Sequence, residues 1–433
     1  MTPQSAFMVL APVDRRREAE LRGLLASMNE GPGRVNANNA LVPFARFDSL
    51  HFARFVILDD TTVEDVRVYG VPVRTYPLYL AFLGDVDGDP NAFLAELVTK
   101  AGKGLRSIFS CCEGFASDSD LVQWMQRHHS AAIANYVNSR GRTVRRVREE
   151  AALKKALDEY LQRHASALAG LPPAEVLSKV RQFVAAEKSA GRLALSADDP
   201  TPLLWWIRNA LHLIGIPLLL LVALPLLVVI APIYVVLLRH LEKTDPELCG
   251  RVDQAYSDAL AAAEDRDVTN QFNALASRKP GLVRLLTLLG VLATVDYAAR
   301  HLVRPGRLGR IRTIHFARWV LLDGKRRGVF FSNYDGTVEA YMDDFINKAG
   351  FGLNAIFCAA IGYPRTNWLV RDGCSDEQKY RNFLRRHTLP SQVWYKAYPG
   401  LTAIDLERNR RIRDGVEAAS MSEQETRDWV ALL

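Results

Sequence analysis

The side chains with chemistry to offer fall into two matched sets. His51 and His315 each head an apolar run, with Arg54 and Arg318 three residues further on. Asp87 and Asp335 each precede a glycine, in Gly84-Asp85-Val86-Asp87-Gly88 and Ser332-Asn333-Tyr334-Asp335-Gly336. Imidazole, guanidinium and carboxylate are the groups of acid–base catalysis. The spacing argues against one His–Arg catalytic pair, because residues three apart on an extended strand point to opposite faces. One side chain then faces the helices and the other the interior. A buried arginine needs a partner, and Asp87, Asp335 or another strand-end carboxylate would supply it. Structural pairing is the first reading of these residues and ligand contact the second.

Other chemistries lack their motifs. The chain has no P-loop, dinucleotide-binding glycine pattern, HExxH or Ser/His/Asp order. Gly102-x-Gly104 and Gly350-x-Gly352 read as helix ends. Five cysteines (Cys111, Cys112, Cys249, Cys358 and Cys374) are too few for a disulfide framework and have no zinc-ligand spacing, so no metal site is expected. Cys111 and Cys112 read as buried thiols. The early apolar stretch 6–13 precedes Arg15-Arg16-Arg17, the reverse of a secretory signal, and the soluble parts are expected in the cytosol.

The elements that must position these residues repeat. His51-Phe-Ala-Arg-Phe-Val-Ile-Leu-Asp59 matches His315-Phe-Ala-Arg-Trp-Val-Leu-Leu-Asp323 at seven of nine positions. Ala101 to Phe109 matches Ala349 to Phe357 at six of nine. Asp87-Gly88, Gly114, Arg127-His128, Tyr136 and Gly141 have counterparts, in order, in Asp335-Gly336, Gly362, Arg386-His387, Tyr395 and Gly400. Matches that stay in order imply a duplicated domain. Each copy reads as strand, strand and helix, then a helix and a further strand, with Asp89-Pro90 as a helix start. With a strand and helix at 6–28, the first copy has the βαββαβ order of a ferredoxin-like unit. A strand and basic helix near 142–160 would supply the first βα of the second copy, and 400–419 resembles it. The expected class is α+β, with two ferredoxin-like repeats pairing into a barrel or sandwich.

Composition hides a third feature. The 433 residues carry a net charge of +7 and are 49% hydrophobic, which is ordinary for a globular chain. Yet Leu213 to Leu238 holds no formal charge. As one helix it would be about 39 Å long, enough to cross a hydrocarbon core of about 30 Å. Trp205, Trp206 and Tyr234 suit an interfacial aromatic belt. If both copies share one sheet system, a single crossing would separate them. A re-entrant hairpin turning near Pro225 is therefore preferred, with a full span second. The apolar stretch 285–295 is too short to span alone and precedes Arg300, Arg304, Arg307, Arg310 and Arg312, a pattern suited to an interfacial helix on anionic headgroups. Without aromatic interleaving this stretch does not point to nucleic acid. The expected organisation is repeat 1–145, charged helical connector 146–200, apolar membrane segment 201–243, helical linker 244–309 with an interfacial segment 282–303, and repeat 310–433 ending in a helix. Arginine richness places the soluble mass on the cytoplasmic side. Self-association is left open.

The duplicated pattern with its GxxDG turn resembles the dye-decolourising peroxidases and the related chlorite dismutases, over roughly 1–145 and 310–420. That resemblance implies haem, with Asp87 as distal acid, Arg318 assisting peroxide cleavage and His387 as proximal ligand; Asp335 and Arg54 are the matching residues of the other copy, and His315 is a second candidate for holding the cofactor. Three functions follow as expectations. The first is a membrane-associated barrel that binds, and can transform, an apolar or lipid-derived molecule in its interior. The others are a haem peroxidase and a non-catalytic membrane scaffold.

Overall fold

The computed structural model describes residues 1–248, 250–264, 267–303 and 306–433; Cys249 and Arg304, singled out above, lie outside them. Eight strands build the two main sheets: β1 (Gln4–Pro12), β2 (Leu50–Leu58), β3 (Tyr79–Asp87), β4 (Ala134–Val137), β5 (Thr269–Ser277), β6 (Ile314–Leu322), β7 (Arg327–Asp335) and β8 (Val393–Lys396). Sheet one has the order β1-β3-β2-β8 and sheet two β4-β6-β7-β5, all antiparallel. The fourth strand of each sheet comes from the other half of the chain.

The two sheets share their register in detail. β1 pairs with β3 from Gln4↔Asp87 to Pro12↔Tyr79, and β5 with β7 from Thr269↔Asp335 to Ser277↔Arg327. The first strand of the second half is thus 269–277. The stretch near 142 contributes a helix and no strand. Both central pairs carry a bulge at the same place, which leaves His51 and His315 as the extra residues. Gly88 and Gly336 follow the paired aspartates with φ of +81° and +88°, a conformation that favours glycine and so accounts for the repeated Asp-Gly.

Each sheet buries one face on helices and the other on its partner sheet. The main helices are α1 (Glu18–Ala26), α2 (Pro90–Phe109), α3 (Leu121–Arg127), α4 (Val144–Arg163), α5 (Pro173–Ser189), α6 (Leu203–Thr244), α7 (Leu282–Tyr297), α8 (Val338–Phe357), α9 (Glu377–His387), α10 (Ala403–Glu417) and α11 (Glu423–Val430). Phe55 and Phe82 of sheet one pack on Leu21, Leu97 and Trp124 of α1–α3. In sheet two, Phe272 and Phe330 pack on Leu288 of α7, Tyr341 of α8 and Phe383 of α9. Between the sheets, Met8, Val56 and Leu83 meet Leu275, Val320 and Phe331. The edges are stitched together. Leu10 N donates to His128 O and Ser130 N to Met8 O, and the chain then crosses to sheet two as β4. Leu389 N donates to Asn273 O before that chain crosses to sheet one as β8. These bonds join the edges of the two layers where the chain passes from one sheet to the other.

The charged connector is not a tether. Leu153 of α4 and Val180 and Val184 of α5 pack with Ile412 of α10 and Trp429 of α11 in one helical cluster. The repeated glycines lie inside α2 and α8, not at helix ends. A Cβ on Gly104 would stand 2.0 Å from the Leu41 carbonyl oxygen, so this glycine admits a crossing backbone.

The apolar insert is one helix. α6 runs unbroken through Pro217, Pro225 and Pro232, and the chain does not reverse at Pro225 as the hairpin requires. Each proline removes one backbone hydrogen bond, but neighbouring bonds hold the helix, which is about 63 Å long. The segment 285–295 is likewise part of a longer helix. α7 and its looser final turn reach Leu302, with Leu288, Leu292 and Ala299 buried against sheet two. It follows β5 as α1 follows β1, and it buries one face while Leu282 and Leu286 stay exposed. By length and composition α6 and Leu282–Leu302 are the two helices among the described residues able to cross a membrane.

Candidate functional site

The bulge decides where the repeated histidines point. An extra residue breaks the strict alternation of a strand. His51 and Arg54 therefore both face the partner sheet, contrary to the opposite-face expectation: the His51 ring lies 5.5 Å from that of Phe316, and Arg54 reaches β5. At one end of the paired sheets, His51 Nε2 bonds Asp87 Oδ1 at 2.9 Å, and Asp87 Oδ2 accepts the Val144 backbone N–H at 2.8 Å. His315 Nε2 and the Ala403 N–H hold Asp335 in the same way, at 2.6 and 2.7 Å. The other ring nitrogen of His51, Nδ1, lies 3.1 Å from the Tyr398 hydroxyl. Each carboxylate thus ties a strand bulge to the first turn of α4 or α10. All four side chains are buried, and Asp335 Oδ1 also accepts the Thr269 hydroxyl at 2.9 Å.

The arginines have other partners than Asp87 and Asp335. Arg54 donates to Phe272 O, Asn273 Oδ1 and Ser332 O of sheet two, at 3.2, 2.8 and 3.1 Å. Arg318 donates to Phe7 O and Gly84 O of sheet one, at 2.9 and 3.1 Å, and to Asp85 Oδ1. Asn333 stands in sheet two where Asp85 stands in sheet one and donates to Asp85 Oδ2 at 3.3 Å. Two buried guanidiniums therefore share one carboxylate. Burial, against the pull of Asp85, pushes Arg54 down to about 9, so it remains protonated at neutral pH. The centre is a polar layer flanked by the apolar inter-sheet core.

No protein-family model, curated protein or solved structure matches this chain. The haem reading must therefore stand on the residues, and they do not fit it. His387 is buried at the far end of the paired sheets from Asp87, beside Gly362 and Asp65, and its Nδ1 is 2.8 Å from Phe383 O. β2 runs the length of its sheet between these ends, which puts them roughly 25 Å apart. An acid and an axial ligand would have to face each other across one ring. The cavity lined by His387 is about 60 Å³, below the ~300 Å³ at which pockets for organic ligands begin. His315 is engaged by Asp335.

The residues expected at lipid divide. Trp205 and Trp206 lie in the first turn of α6 with Trp206 exposed, and Pro225 lies mid-helix. Tyr234 is turned from the expected belt towards α7, where its hydroxyl meets Thr287 Oγ1 at 2.6 Å. Arg300 pairs with Asp296 at 2.8 Å. Arg307 and Arg310 are exposed, with no ion pair among the described residues.

Sequence reasoning missed Asp85 and Asn333, although both sit at one offset within the repeated turns. It also missed a cleft of about 430 Å³ at the His387 end of the paired sheets, walled by Asp59, Tyr76, Arg278, Arg326 and Arg327. Its walls come from separate stretches of chain, so no local motif marks it.

Proposed function

We propose that this protein is a membrane-embedded α+β barrel, built from two duplicated ferredoxin-like units, that binds a lipid-derived molecule at the membrane surface. The shared register, the paired bulges and the equivalent His–Asp latches support the duplication. The observation that carries the membrane reading is the exposure of α6 on every side: between Leu218 and Ile230 its leucines, valines and isoleucine are 45% to 73% exposed. An amphipathic surface helix keeps a polar face; this stretch has none, so water is a poor surrounding for all of it.

Both ends of the apolar run meet the same neighbour. Leu213 O accepts the Tyr297 hydroxyl at 3.0 Å, and Tyr234 bonds Thr287. That favours α6 lying within one leaflet alongside α7, with both units on one side, over a crossing that separates its ends. A cytoplasmic position for the soluble mass is part of the proposal.

Membrane fractionation tests it. The full chain is expected in the membrane pellet and to resist alkaline carbonate, whereas Leu220→Arg with Leu227→Arg shifts it towards the soluble fraction. Single cysteines at Ser189 and Ser257 should be labelled from the same side of sealed vesicles. Wild-type protein soluble without detergent overturns the reading, and labelling from opposite sides overturns the one-leaflet geometry.

A further inference from the structure

The cleft at the His387 end has the chemistry of an anion site with an apolar wall. Arg327 lines it and is 1% exposed. Its Nε donates to Asp323 at 2.6 Å, its guanidinium lies 4.2 Å over the Tyr76 ring, and its Nη2 has no hydrogen-bond partner. A buried guanidinium N–H left unmade is costly, and a ligand oxygen would satisfy it. Arg74, Arg278 and Arg326 add three guanidiniums with no ion pair among the described residues. Arg278 is instead held by the carbonyls of Lys325, Lys279 and Gly281. Burial and the neighbouring Arg326 lower its affinity for its proton, which a bound anion would reverse.

Acidic groups do not cancel this charge. Asp60 Oδ1 accepts from Thr62 N and Oγ1, and its Oδ2 lies 4.0 Å from Arg327. Asp59 is the other carboxylate in the wall, and Arg15, also in the wall, pairs with Glu18. The wall also includes Pro280 and Gly281, where α7 begins with no side-chain cap, so its amide dipoles add positive potential. Val63, Val66 and Val71 line the rest of the cleft.

The cleft sits at the foot of the apolar helix. Asp245, at the end of α6, accepts the Tyr69 hydroxyl at 2.6 Å, from the stretch between the lining residues Val66 and Val71. It also pairs with Lys279, between the lining residues Arg278 and Pro280, at 2.9 Å, and with Arg284. Leu282 and Leu286, at the start of α7, are 68% and 54% exposed. An amphiphile held at the membrane surface by its chain would meet the arginines with its head.

We infer that the cleft binds a lipid-derived amphiphile whose anionic oxygen head group sits on Arg327, Arg278 and Arg326 while its chain lies along Val63, Val66 and Val71. This rests on the membrane reading for the source of the ligand. Calorimetric titration of the full chain in a neutral maltoside detergent tests it with three probes: oleoyl lysophosphatidate, monooleoylglycerol and inorganic phosphate. Lysophosphatidate is expected to bind saturably and at least about tenfold more tightly than either other probe, a difference of about 1.4 kcal/mol. Arg74→Gln with Arg326→Gln, both exposed, should weaken it about tenfold at an unchanged unfolding midpoint. Equal binding of the neutral glyceride, or unchanged affinity in the variant, overturns the assignment. Inorganic phosphate binding as tightly as lysophosphatidate would overturn the amphiphile in favour of a free-anion site. Fractionation is read without ligand and titration without a bilayer, so either idea can fail alone.

Discussion

Arg318 crosses from sheet two to bond Asp85 of sheet one, and among the described residues that carboxylate is the only acidic group bonded to either Arg54 or Arg318 between the sheets. The symmetric position holds Asn333, so Arg54 is solvated by carbonyls and an amide. The two sheets are joined through their most costly buried groups.

Asp85→Asn should therefore be among the most damaging conservative changes in the chain. It leaves two buried cations without a counter-charge, and breaking a buried pair from one side costs about 3–5 kcal/mol. Urea unfolding of the variant in detergent is expected to show that loss. A cost under about 1 kcal/mol would mean that water or rearrangement relieves the charge.

The two His–Asp latches make a different prediction, because their geometry is repeated. Asp87→Asn and Asp335→Asn each weaken a bond to imidazole and one to a helix N–H, worth about 1–3 kcal/mol in total. Both should cost stability to a similar degree. If one were a catalytic acid, it would be free to lose its partners, and the two variants would separate in unfolding measurements.

His387 links stability to pH. Burial lowers its affinity for a proton, with Asp65 and Asp60 pulling the other way and Arg386 adding to the fall. The folded state then binds fewer protons than the unfolded chain, whose histidine titrates near 6.5. Stability from this group is present above that pH and is lost as pH falls below it, by at most about 1.4 kcal/mol per unit. Urea midpoints between pH 7.5 and 5 should fall less steeply in His387→Gln. Parallel profiles would show that the folded site accepts the proton.

What could be read in the sequence was what the two halves state twice. The runs after His51 and His315, the Asp-Gly turns and the helix starts recur, and repetition separates them from chance. β5 stayed hidden because it reads Thr-Asn-Gln-Phe-Asn, polar where alternation calls for apolar residues, since Asn273 serves Arg54 and Asn270 bonds Gly336 O. The bulge was invisible because one extra residue leaves no compositional mark, and it reversed the facing of His51 relative to Arg54. The exchange of β4 and β8 between sheets is a long-range choice that no local pattern records. The need to keep both copies on one side suggested a hairpin turning near Pro225, but a proline removes a single bond and leaves the rest of the ladder in place.

The repeated glycines test how far the likeness of the halves extends into packing. A Cβ at Gly104 would collide with the Leu41 backbone, whereas one at Gly352 meets nothing within 4 Å. Gly352→Ala should stabilise α8 by about 0.5–1 kcal/mol, the ordinary gain of alanine over glycine inside a helix. Gly104→Ala gains the same propensity but must push the 41–42 backbone away from α2, where Val42 and Phe44 are fully buried. Overpacking of this kind costs about 1–3 kcal/mol, so the net change should be a loss. Thermal unfolding of the two variants is thus expected to move in opposite directions. A shared direction would mean that the 41–44 stretch yields as readily as open surface and that the glycine is kept at 104 for some reason other than close approach.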